Sequence, residues 1–161
     1  SSAASDVYKR QCHDINLDNN LFISKKAKYI NSDILDNNPC IKNERVFALW
    51  DDHTSQLDRL QFSIKNKIKY NFFDDDLSFL NLHSDGWPPI PSITMMKEIK
   101  KSIINKNNFE WISRNRKGLI LLEKLVNDNT IDQIDFHKTL PELFSITGYR
   151  NHSQCSLVIN K

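Results

Sequence analysis

Val46-Phe47-Ala48-Leu49-Trp50-Asp51-Asp52-His53-Thr54-Ser55 is the stretch on which the reading of the fold turns. Five apolar residues in an unbroken run, bounded by acids, have the pattern of a strand buried on both faces. Directly behind them Leu57, Leu60 and Ile64 recur at helical spacing, and Ser55 with Asp58 three residues on makes a capping-box start. Strand then helix is the first half of a βαβ unit. After the punctuating Asp74-Asp75-Asp76, which reads as a solvated loop, Leu77-Ser78-Phe79-Leu80 gives a second buried strand. It ends in Asn81-Leu82-His83-Ser84-Asp85.

Working outward, Gly86 to Pro91 is loop, because Pro88, Pro89 and Pro91 remove donors and fix φ. Ser92 caps a helix expected from Ile93 to Ile104, and Gly118 to Val126 reads as another. Thr130 to Phe136 is a third strand, Leu140 to Phe144 a helical turn, and Ser156 to Ile159 a last strand. Strands alternating with helices imply a three-layer α/β/α domain over residues 45–161, with a mostly parallel sheet covered on both faces. Residues 12–44 are polar and Asn/Asp-rich, and read as an irregular N-terminal segment. The first eleven residues, SSAASDVYKRQ, look like a non-native leader, which makes the α/β domain an incomplete one.

The chain of 161 residues carries 22 basic and 20 acidic side chains, net +2, which gives no reason to expect a nucleic-acid or membrane-surface partner. Cys12, Cys40 and Cys155 are odd in number and far apart, without zinc or redox spacing, so reduced thiols and a cytoplasmic location are the expectation. No apolar run approaches the ~18 residues of a membrane span. Oligomeric state leaves no mark on the sequence.

In open α/β sheets ligands gather beyond the carboxyl ends of the strands. Those ends carry Asp51-Asp52-His53, Asn81 to Asp85, and Asp135-Phe136-His137. In extended chain alternate residues share a face, so Asn81, His83 and Asp85 point one way, and a bend at Gly86 lets an amide, an imidazole and a carboxylate converge. Oxygen and nitrogen donors without thiolate favour Mn, Mg or Fe. His53 stands where a neighbouring strand end brings it to the same place. Asp135 and His137, two apart, are additional candidates.

These motifs resemble those of the arginase-like (ureohydrolase) metallohydrolases. The family's first metal motif, G-G-D-H-S after a strand, is similar to Trp50-Asp51-Asp52-His53-Thr54. Its second, D-A-H-x-D, is similar to Asn81-Leu82-His83-Ser84-Asp85. The peptide-arginase branch, with an acidic-Asp-His motif in place of the glycines, looks closer. Trp111-Ile112 and Ile131 to His137 are similar to the later segments of that branch. The resemblance covers about residues 45–140, and the two short motifs carry nearly all of it.

It implies a truncated arginase-like domain that binds Mn²⁺ or another divalent ion. It also implies hydrolysis of a C–N bond in a guanidino substrate, such as an arginine-containing peptide. His53, His83 and Asp85 match ligand positions, and Asp52 is a further ligand or supports one. Asn81 stands where the family has a carboxylate bridging two metals. A neutral amide there removes charge that two cations need. The departure favours a rival reading, a non-catalytic arginase-like binding module.

Each motif also has a plainer reading. Asp52 suits the helix start immediately after it, Asp85-Gly86 suits a turn, and Asp135 and His137 suit the surface end of a strand. Lys97, Lys100, Lys101, Lys106, Arg114, Arg116 and Lys117, with Phe109 and Trp111 between them, would serve nucleic acid by charge and stacking. An exposed helix face with a loop explains them better, because Glu98 and Glu110 dilute the charge.

Overall fold

The structure, a computed structural model, describes residues 10–19, 24–36, 45–51, 53–80, 88–101, 108–113, 116–141 and 154–161. The chain forms two compact units, residues 1–42 and 43–161. In the first, β1 (Arg10–Asp14) pairs in parallel with β2 (Ala27–Asn31). Two strands thus stand where irregular chain is expected, and the first takes in Arg10 and Gln11 of the supposed leader.

The second unit holds β3 (Phe47–Trp50), α1 (Gln56–Lys65), β4 (Tyr70–Phe73), α2 (Ile93–Lys100), β5 (Asn108–Ser113), β6 (Arg116–Leu121), α3 (Leu122–Val126), β7 (Ile134–Thr139) and β8 (Ser156–Asn160). The four-stranded sheet has the order β3-β4-β8-β7. Only β3 and β4 are parallel within it; β8 runs antiparallel to both β4 and β7, and β5–β6 is a separate antiparallel ribbon. The fold is therefore mixed α/β with short helices and small sheets, and the expected parallel three-layer α/β/α architecture is overturned.

Three readings of the chain produced that difference. Leu77, Ser78 and Phe79 are buried as a strand's residues would be, yet they form no ladder. Side chains satisfy their backbone instead: Ser92 Oγ donates to the Leu77 carbonyl, and Glu98 Oε2 accepts from Phe79 N–H at 3.1 Å. The true second strand, Tyr70-Asn71-Phe72-Phe73, is interrupted by an amide. Asn71 is fully buried, and its Oδ1 accepts from Trp50 Nε1 at 3.1 Å and Ser63 Oγ at 2.7 Å. Gly118 to Leu121, expected in a helix, pairs with β5, and α3 starts only at Leu122 without a side-chain cap.

The local helix reading stands up better. Ser55 accepts from Asp58 N–H at the start of α1, and Ser92 from Met95 N–H at the start of α2. The strand pairings place Trp50, Phe73, Val158 and Ser156 on one face of the sheet, all buried. Phe62 and Arg59 of α1 meet the Trp50 ring there. The other face carries the row Phe47–Tyr70–Ile159–Phe136. In that row Phe47 is 60% exposed, Tyr70 42% and Phe136 42%. Among the described residues no helix is long and apolar enough to cross a membrane.

Phe73 is fully buried and stacks on Trp50 at 6.3 Å between centroids. Phe73→Ala should lower the unfolding free energy by about 3–5 kcal/mol in urea titration. A loss below about 1 kcal/mol would place the core elsewhere.

Candidate functional site

Because β3 and β4 are parallel, their carboxyl ends lie side by side: Asp74 N–H donates to the Trp50 carbonyl at 3.0 Å. The segments leaving the two strands therefore meet at one edge. Asp51 and His53 come after β3, and Asp74-Asp75-Asp76 after β4. That acidic run is not a solvated loop, since Asp75 is 5% exposed and Asp76 0%. Each carboxylate of the run takes a different partner. Asp74 Oδ1 accepts from the Cys155 thiol at 2.9 Å, Asp75 Oδ2 lies 3.2 Å from His53 Nδ1, and Asp76 Oδ2 lies 2.7 Å from His137 Nε2.

Asp76 is held most tightly. Its second oxygen accepts from Thr94 N–H at 2.7 Å, in the first turn of α2, where the helix dipole favours an anion. Its own N–H donates to the Gln154 carbonyl. Nearby Gln56, itself buried, donates to the Asp74 carbonyl at 2.6 Å and accepts from Ile93 N–H at 3.0 Å, tying α1 to the turn and to α2. Burial beside this acidic run pushes the Cys155 thiol up to about 12, with the Asp74 hydrogen bond adding to the effect. Lys97 is held below the usual lysine range by burial and by Lys101, against the pull of Asp76.

His53 and Asp75 both have left-handed backbones, at φ 49° and 54°, although neither is glycine. Such conformations cost of order 1–3 kcal/mol each and persist where the surroundings impose them, often at functional sites. With Nδ1 turned to Asp75, His53 presents Nε2 outward; its side chain is 48% exposed. The same histidine lines an open cleft of about 370 Å³ with Thr54, Ser55, Pro88, Ile90, Trp111, Gly118, Leu119 and Ile120.

Asp135 and His137 do not share a face. A bulge between Ile134 and Phe136 leaves Asp135 exposed, while His137 pairs with Val158 on the buried side and reaches Asp76. Asp52, Asn81, His83 and Asp85 lie outside the described residues. Sequence reasoning misses the Asp75 and Asp76 partnerships, for which the signal is three acids directly after the aromatic β-formers Tyr70, Phe72 and Phe73.

Among the described residues no group of three or more His, Cys, Asp or Glu side chains is arranged to hold a metal ion. Of the implied ligands His53 is the one described, and it fits: an imidazole fixed through one nitrogen by a carboxylate is the usual form of a metal-ligating histidine. A scan of protein-family models, a search of curated proteins and a search of solved structures each returned no match.

Asp76→Ala removes the acceptor of both His137 and the α2 terminus. It should cost about 3 kcal/mol or more in stability by chemical denaturation. The burial of Cys155 and its hydrogen bond to Asp74 make a second measurement decisive. At pH 8 the exposed Cys12 should be alkylated well before Cys155, whose thiolate fraction is about a hundredfold or more below that of an ordinary thiol. Equal rates by mass spectrometry would contradict the buried, hydrogen-bonded thiol.

Proposed function

We propose that this chain is a metal-dependent hydrolase of the arginase-like type. On this reading it cleaves a guanidino C–N bond in a substrate such as an arginine-containing peptide. The observation that carries the reading is the His53–Asp75 pair, 3.2 Å apart, facing a cleft at the carboxyl edge of the parallel β3–β4 pair. Ligand sites of α/β proteins favour that edge. The acids that follow both strands give that edge a negative field, which attracts cations.

By accepting from Nδ1, Asp75 would leave the Nε2 of a neutral His53 to hold Mn²⁺ or another divalent ion. Such an ion, when bound, lowers the pKa of water toward neutrality. In the reaction one water adds across the guanidinium C–N bond, urea leaves, and the substrate's amine takes the proton. Asp51 sits at the same edge, and its charge favours the substrate cation. Asn81, His83 and Asp85 remain part of the proposed ligand set on the strength of the motif resemblance alone. The thiols of Cys12 and Cys155, neither in a disulfide, accord with a cytoplasmic location.

One observation favours the rival reading, a non-catalytic binding module. Each carboxylate of Asp74-Asp75-Asp76 already has a partner within the protein. Metal analysis with an activity assay separates the two. The hydrolase binds Mn²⁺ stoichiometrically and releases urea from an arginine-containing peptide. His53→Ala should then lower turnover by about 100-fold or more, and Asp75→Asn by about 10–100-fold. Fully metal-loaded protein that yields no urea rejects the guanidino substrate. Protein that takes up no metal and keeps its stability establishes the module.

A further inference from the structure

We propose that the β5–β6 ribbon is the selecting wall of the His53 cleft. Trp111 is its specificity-determining residue, a stacking platform for a planar cationic group. This rests on the cleft described above and deepens the hydrolase reading by naming what holds the substrate's head.

Directly opposed residues of an antiparallel pair share a face. The register puts Phe109 opposite Ile120 and Trp111 opposite Gly118, all four on one side of the ribbon. Phe109 meets Phe79 edge-on at 4.5 Å between centroids, which fixes that side as the one turned toward the body of the unit. Trp111, two residues along the same strand, therefore also faces inward, and it lines the cleft with His53.

Gly118 is what permits this. A Cβ there would fall 2.5 Å from Trp111 Cε2 and 2.6 Å from Cζ2, with Nε1 closer still. The Nε1–Cζ2 edge of the indole occupies the space in which any other residue's Cβ would sit, so a larger residue at 118 displaces it.

The cleft is chemically two-sided. Pro88, Ile90 and Ile120 give it apolar walls, against which a methylene stem packs while its charged head stays apart. The indole face attracts a cation by its quadrupole, most strongly for a planar group able to stack. His53, held from behind by the buried Asp75 carboxylate, lines the same cleft. Apolar stem and planar cationic head together describe an arginine side chain. A compact ammonium lacks the stacking, and an anionic ligand is repelled by the negative face of the indole.

The test is calorimetric binding of an acetylated, amidated Gly-Arg-Gly peptide to the full chain, with the citrulline peptide as neutral counterpart and urea release measured alongside. Trp111→Ala should weaken binding about tenfold, Trp111→Phe should restore most of it, and Gly118→Ala should weaken it by displacing the indole. Circular dichroism confirms that each variant is folded. In turnover, Trp111→Ala raises KM with little change in kcat, whereas His53→Ala lowers kcat.

Unchanged binding in folded Trp111→Ala, equal affinity for the citrulline peptide, or no binding by the unsubstituted chain each overturns the proposal. Binding that depends on Trp111 without urea release leaves the wall standing and rejects the hydrolase. Urea release indifferent to Trp111 does the reverse.

Discussion

A carboxylate with no exposed surface organises this unit. Asp76 is buried completely, and an unpaired charge in that position would cost several kcal/mol. Its two oxygens are taken by His137 and by Thr94 N–H, and its own N–H by the Gln154 carbonyl. One residue thus links the end of β4 to β7, to the start of α2 and to the segment entering β8. Because Asp76 is fixed, Asp74 and Asp75 have little freedom over which side groups they meet. The position of Cys155 and the presentation of His53 are both consequences of that constraint.

How legible this was depends on which kind of signal carried each element. Ser55 and Ser92 announced the helix starts because capping is a local chemistry of a few residues. Val46 to Trp50 announced a strand at β3 but not its setting: the run reads as buried on both faces, and it is an edge strand with Phe47 60% and Leu49 62% exposed. Leu77 to Phe79 misled because burial alone does not distinguish a ladder strand from a segment satisfied by Ser92 and Glu98. Asn71 hid β4 because a buried amide is acceptable only when specific partners, here Trp50 and Ser63, reach it, and those lie outside any local window.

The site divided along the same line. His53 was legible as the residue between a strand and a helix, and the edge on which it stands is set by β3 and β4 being parallel. The pairings of Asp75 and Asp76 were not legible, since they depend on left-handed backbones at positions 53 and 75 and on a bulge at Asp135. A single extra residue in β7 reverses the alternation, turning His137 inward and Asp135 outward. No reading that counts residues two at a time detects that.

The placement of β8 bears on how the molecule assembles. It is an interior strand, paired with β4 on one side and β7 on the other, and Asn160 reaches back 92 residues to the Ile68 carbonyl. The β3–α1–β4 unit and the β5–β6 ribbon need only short loops closed. Insertion of β8 must close a far longer loop before any contact rewards it. Topology gives that insertion the largest entropic cost of any pairing in the sheet. Without it the two outer parts of the sheet have no common strand, and the acidic turn lacks the Gln154 carbonyl and the Cys155 thiol that complete it.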